Sequence, residues 1–182
     1  MPLSIPVLTG ERLILRDKIP ADRENYLATG GQAGAVWGLG GGTEDVRPKT
    51  PEEADRFMEG RPGWMTWMIV LNDGRRIRSV SFHDIVETDR QVMLAISISA
   101  ADDMGRGYGT EAIKLVLAHG FNSMNLHRID LRVLSRNKRA IRSYEKCGFT
   151  YEGTKRENAL IDGNWEDDVF MSILEHEFSN PK

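Results

Sequence analysis

The chain has 182 residues and a mass of 20.5 kDa, with 40% apolar and 28% charged residues, the makeup of one folded domain rather than a disordered tract. Its 24 basic and 27 acidic side chains leave a formal charge of −3, which argues against a general nucleic-acid binder. A single cysteine, Cys147, excludes an internal disulfide framework and a multi-cysteine zinc site, and no apolar run approaches membrane-spanning length.

Glu11–Arg16 reads as a short strand, and Pro20 opens a helix over Ala21–Ala28. Seven glycines crowd into Gly30–Gly42, a stretch that reads as a loop without regular structure. Thr50, Pro51 and Glu53 carry a capping-box pattern for a helix that runs to about Glu59. Trp64–Leu71 and Arg76–Val86 read as strands about an Asn72-Asp73-Gly74 turn. Trp64, Trp67 and Trp165 are expected to pack in the core or in a hairpin.

Gln91–Ser99 alternates, with Val92, Leu94, Ile96 and Ile98 on one face. A break follows, then a helix over Gly107–Phe121, a strand over Ile129–Leu134 and a helix over Asn137–Cys147 ended by Gly148. Phe149–Arg156 and Trp165–Leu174 read as a closing hairpin. The expected class is α+β, with a mixed, mostly antiparallel central sheet flanked by helices. Met1–Val7 shows no basic-then-apolar leader pattern, so a cytoplasmic protein with no membrane partner is expected. His83, His119, His127 and His176 show no metal-ligand spacing, so no metal is expected.

The sharpest feature is Met104-Gly105-Arg106-Gly107-Tyr108-Gly109-Thr110, after a strand and opening a helix. Such a loop offers unsatisfied N–H groups and the positive end of a helix dipole, and its glycines let backbone approach a phosphate. The spacing fits neither a dinucleotide fingerprint, where Thr110 stands at the last glycine, nor a P-loop, which needs a lysine. Asp130 would be the ribose-binding acid of the dinucleotide reading, which the strand order disfavours. Arg128–Lys146 carries seven basic residues against Asp130 and Glu145, so a ligand with several phosphates suits both features.

These residues resemble the GNAT superfamily of N-acetyltransferases. The glycine loop is similar to the family's coenzyme loop, followed by Thr110-Glu111-Ala112-Ile113. Asn137–Phe149 (N-K-R-A-I-R-S-Y-E-K-C-G-F) resembles its second coenzyme-side segment. Thr9–Arg16 and Asp162–Leu174 resemble the branch that acetylates ribosomal-protein N-termini and includes spermidine and antibiotic acetyltransferases. One departure is Met104, where the family prefers Gln or Arg; Arg106 stands beside it.

The resemblance implies one N-acetyltransferase domain over residues 8–176, moving an acetyl group from acetyl-CoA directly to a primary amine. It implies that Ile96, Ser97, Ile98, Met104, Gly105, Arg106, Gly107, Tyr108, Gly109, Thr110, Asn137, Arg139, Ala140 and Tyr144 hold the coenzyme, and that Tyr144 protonates the departing thiolate. The base is unassigned; His83 and Ser99 are its candidates, His83 because an imidazole is the commonest general base. Trp37, His83 and Asp168 are the acceptor-side candidates. Trp37 either closes over the acceptor or anchors its loop.

The acidic stretch after Glu157 is either a solvated end or an approach for a cationic amine. The acceptor is a small-molecule or peptide amine, and a homodimer is the default assembly. A non-catalytic acyl-CoA-binding sensor on the same fold is the alternative.

Overall fold

A computed structural model describes residues 4–29, 48–98 and 103–178. The elements in chain order are β1 (Leu8–Thr9), β2 (Leu13–Arg16), α1 (Ala21–Thr29), α2 (Pro51–Glu59), β3 (Met65–Leu71), β4 (Arg76–Val86), β5 (Gln91–Ile98), α3 (Tyr108–Asn122), β6 (Arg128–Leu134), α4 (Lys138–Glu145), β7 (Thr150–Ile161) and β8 (Asn164–Leu174). The strands form one sheet in the order β1-β2-β3-β4-β5-β6-β8-β7. Every neighbouring pair is antiparallel except β5 and β6. The α+β class with a mixed, mostly antiparallel sheet is therefore correct.

Alternation drives burial as expected. In β5, Val92 and Leu94 are buried, and Ile96 and Ile98 pack partly against the core. Ala112, Ile113, Val116 and Leu117 of α3 are buried in the same core. Trp67 lies at its centre, edge-on to Phe82 with ring centroids 5.6 Å apart, and its indole N–H donates to the Pro6 carbonyl at 2.9 Å. The capping box of α2 forms as the sequence predicts: the Glu53 N–H donates to Thr50 Oγ1 at 3.3 Å, and the Thr50 N–H donates to Glu53 Oε2 at 2.9 Å. Among the described residues no helix is long and apolar enough to cross a membrane.

Several expectations shift. The first expected strand shortens to Leu13–Arg16, which is β2, and an unexpected short strand, β1 at Leu8–Thr9, pairs antiparallel with it. β7 runs on to Ile161 because it follows β8 along its length, with shifts of register that absorb its polar middle. Trp165 stands at that hairpin with 61% exposure, not packed as expected. Gly30–Gly42, Trp37 and Ser99 lie outside the described residues.

The feature that positions the site is the parallel pair. β5 and β6 pair only over Gln91–Met93 and Arg128–Asp130. Beyond that point β5 stays paired with β4 as far as Ile98, while β6 stays paired with β8 as far as Leu134. Each strand remains in its own half of the sheet, so the two halves diverge and the inner backbone edge of β5 is left open. An open edge inside a fold is a row of unmet hydrogen-bonding groups awaiting a partner.

Candidate active site

A cavity of about 1150 Å³ occupies this split. Ala95, Ile96 and Ser97 of β5 line one wall, and Val133 and Leu134 of β6 line the other. α4 follows β6 and brings Tyr144 into the same cavity. Tyr144 is 7% exposed and edge-on to Phe149 at 5.9 Å. Burial, helped by the nearby Cys147, pushes its phenol up to about 12. The phenol therefore stays protonated near neutral pH and keeps a proton to donate. Cys147 is itself buried, and burial raises its thiol to about 11, so it is an inert packing residue.

The glycine loop sits just beyond the end of β5 and opens α3. Gly105 and Gly107 both take positive φ, +78° and +85°, which glycine adopts without strain. Gly107 is the N-cap of α3 and has no capping side chain, so the first N–H groups of the helix point out of its end without a side-chain partner. This donor row fits a pyrophosphate. Arg106 is exposed and, among the described residues, makes no ion pair. Met104 is half-buried and adds no charge. The Thr110 hydroxyl is committed to Ser143 at 2.8 Å, tying α3 to α4. Asn137 caps α4, its Oδ1 accepting from the Ala140 N–H at 3.2 Å, while Arg139 lies exposed on the following turn.

Arg12 is a part of this loop that sequence reasoning missed. It lies 99 residues from Glu111, to which its Nε donates at 2.8 Å. Its Nη1 donates to the Arg106 carbonyl at 2.9 Å, and its guanidinium lies 5.0 Å from the centroid of Tyr108. A Cβ added at Gly107 would lie 3.2 Å from Arg12 Nη2. Arg12 thus braces the loop from the neighbouring sheet edge. The signal was the arginine before the apolar pair Leu13 and Leu15, but nothing local told its partner.

The acceptor-side residues divide. His83 lines the cavity, stacks on Trp64 at 4.2 Å, and places Nδ1 3.1 Å from Asp84 Oδ2. Trp64 is therefore a cavity residue rather than core packing. Asp168 also lines the cavity, but its carboxylate is buried and committed: Oδ2 accepts from Arg132 at 3.0 Å and Asn158 at 2.7 Å. Glu166 pairs with Arg136, and Glu175 pairs with Arg90. Three acids of this end, Asp168, Glu166 and Glu175, are thus each paired with an arginine. Asp130, the acid of the dinucleotide reading, is held by Arg128 Nε at 2.8 Å. Among the described residues, no cluster of three metal-ligating side chains occurs.

The family model of the acetyltransferase (GNAT) domain matches residues 12–150. The chain belongs to the GNAT acetyltransferase family. Among curated relatives it is 37% identical to "Probable N-acetyltransferase YjcK" of Bacillus subtilis (strain 168), over 59% of this chain and 59% of that protein. It is 32% identical to the spermidine N(1)-acetyltransferase of Escherichia coli (strain K12), over 60% of this chain and 59% of that protein. The matched segments thus span about six tenths of these relatives. Among solved structures, the spermidine N-acetyltransferase of Vibrio cholerae in complex with CoA and spermine superposes with a TM-score of 0.79 at 22% identity, covering 92% of this chain and 98% of that one. That likeness is one of fold. In the GNAT fold of this chain, the split strands β5 and β6 and Tyr144 line one cavity, and a Cβ at Gly109 of α3 would lie 3.9 Å from the side chains of Ile96 and Ile98 of β5.

Proposed function

We propose that this chain is an acetyl-CoA-dependent N-acetyltransferase acting on a primary amine, with residues 8–176 as one catalytic domain. The carrying observation is the split between β5 and β6, with the glycine loop at its end and Tyr144 inside it. Acetyl-CoA supplies the reactive acetyl thioester and, on transfer, a thiolate leaving group. The donor row at the start of α3 and the charge of Arg106 bind its pyrophosphate. The open edge of β5 at Ile96–Ile98 pairs with its extended arm and offers an N–H to the carbonyl oxygen where charge develops. Asn137, Arg139 and Ala140 flank that arm from α4.

An aliphatic amine has a pKa of about 10, so most acceptor molecules arrive protonated at neutral pH. His83 takes the proton from the amine nitrogen, with Asp84 orienting its ring. Tyr144 gives its proton to the sulfur as the carbon–sulfur bond breaks. The relatives named for spermidine make a polyamine one candidate acceptor, and a protein N-terminus, an antibiotic amine and an amino acid are the others. The test is thiol release from acetyl-CoA over a mixed panel of amines. Release with an acetylated product supports the reading. Coenzyme binding with no release on any acceptor overturns it in favour of a sensor.

A further inference from the structure

The far end of the cavity holds a charge problem that acetyl transfer alone does not explain. Arg76 lines it, with only 6% of its side chain exposed. Its Nε is buried without a hydrogen-bond partner. Its nearest carboxylate, Asp22 Oδ1, is 3.5 Å away, its Nη1 meets the Met68 sulfur at 3.9 Å, and its guanidinium lies 5.7 Å from the centroid of the Phe57 ring. Asp22 is already engaged: it accepts from Arg16 Nη1 at 2.7 Å, Arg16 Nη2 at 3.2 Å and the Ile19 N–H at 2.9 Å. Burial would raise the Asp22 pKa, but those bonds and the Arg16 and Arg76 charges outweigh it.

Arg78 lines the same cavity, and among the described residues no carboxylate pairs with it. Burial lowers the pKa of both Arg76 and Arg78. Arg16 and Arg76 therefore share Asp22, while Arg78 lies near Tyr26 and adds its charge beside Arg76; Glu53, Glu59, Asp84 and Asp168 are the carboxylates that line the cavity elsewhere. A buried guanidinium without a full complement of acceptors is costly, and it persists where a guest completes it.

The backbone is bent to make this arrangement. β4 carries one extra residue against β3, because Ile69 faces Arg78 while Val70 faces Arg76. Arg78 sits at this bulge with φ of +122°, a conformation that a non-glycine residue holds only under constraint. The bulge breaks strand parity. Ile77, Val80 and Phe82 stay in the core, while Arg76, Arg78 and Ser79 all line the cavity. Bulges beside active sites serve to re-aim side chains in this way. Arg78 pairs with Ile98, and Ser79 with Ser97. The guanidinium is therefore rooted one strand spacing, about 4.8 Å, from the backbone proposed to hold the reacting carbonyl.

We infer that Arg76 and Arg78 form a carboxylate subsite, and that the acceptor is an amine bearing a carboxylate a few bonds away, an amino-acid-like zwitterion. The planar guanidinium fork matches a carboxylate. Asp22 beside Arg76 limits the charge to be met, which suits a monoanion over a phosphate dianion. A polyamine, bearing only positive charge, is repelled from these groups. The inference rests on the proposed acetyl transfer for the amine end of the acceptor.

The test pairs each of the common amino acids with its amide, which keeps the amine and removes the anion. Binding is read by titration in the presence of CoA, and turnover by thiol release. The acid of a favoured pair is expected to bind about 10–100-fold tighter than its amide. Arg78→Met is expected to collapse that ratio toward one, and Arg78→Lys to restore part of it. Arg76→Lys is a second variant, and the wild-type acid-to-amide ratio needs no variant, so misfolding of one does not spoil the test. Equal or tighter binding of the amides overturns the inference, as does tighter binding of a phosphorylated amine. Selective acid binding without thiol release supports the subsite while sinking acetyl transfer. Thiol release with no acid preference does the reverse.

Discussion

The two ends of the proposed site are built from different materials. The proposed coenzyme end is made of backbone: the N–H row of the glycine loop and the open edge of β5, braced from outside by Arg12. The proposed acceptor end is made of side chains: Arg76 and Arg78 on a bulge, and His83 stacked on Trp64. A phosphate-rich group common to every turnover can be held by groups that all residues carry. An acceptor must be told from its competitors, and that needs particular side chains in particular places. The difference predicts that damage at each end shows in a different kinetic constant.

The largest effect is expected where the two ends meet. Tyr144→Phe removes the proposed proton donor to sulfur and should lower kcat by about 10²–10⁴-fold, with coenzyme affinity kept. Steady-state kinetics with a coenzyme titration check it, and an unchanged kcat across pH 6–9 removes Tyr144 from the chemistry. At the coenzyme end, Gly107→Ala forces a side chain into positive φ beside Arg12. The strain of roughly 1–2 kcal/mol should weaken coenzyme binding by about 5–30-fold. Calorimetry with CoA measures this, and wild-type affinity would mean that the loop does not hold the coenzyme.

Alkaline stability gives a third handle. Burial raises Cys147 from about 9 to about 11 and Tyr144 from about 10 to about 12. Between those values the unfolded chain has released protons that the folded chain still holds, so stability falls as pH rises. The contribution is complete below about pH 9 and is lost through pH 12. Each group accounts for about 1–3 kcal/mol. Denaturant midpoints measured from pH 8 to 11 should fall, and Cys147→Ala should flatten the early part of that fall. A flat wild-type profile would place both groups in water. The smallest effect is at the cap of α4. Asn137→Ala should cost about 1 kcal/mol of stability, and any larger loss of coenzyme affinity would show that its side chain also touches the coenzyme arm.

What could be read from the sequence follows the same division. Gly105, Gly107 and the capping pattern at Thr50 are local signals, since the residue that needs the special backbone is the residue that supplies it. The strand alternation of β5 was local too. The cavity face of β4 was hidden because simple alternation puts Val80 and Phe82 with Arg76 and Arg78, and Ser79 with Ile77; the bulge moves Val80 and Phe82 to the core face of Ile77 and leaves Ser79 beside the arginines. Arg12 and Glu111, and Arg16 and Arg76 about Asp22, are joined by folding across long separations. The pairing within the acidic end was not local either: a running charge count ignores partners distant in the chain, and Arg132, Arg136 and Arg90 meet Asp168, Glu166 and Glu175. Trp64 and Trp165 were misplaced for a related reason. Their burial depends on neighbours that the strand pattern alone does not name.

The division of labour can be tested in one crossed measurement. Coenzyme affinity and the acid-to-amide preference are determined together for wild type, Gly107→Ala and Arg78→Met. The account predicts that Gly107→Ala weakens coenzyme binding and leaves the preference intact. It predicts that Arg78→Met erases the preference and leaves coenzyme binding intact. If each variant moves both quantities by similar factors, the two ends are not separate devices and the account is wrong.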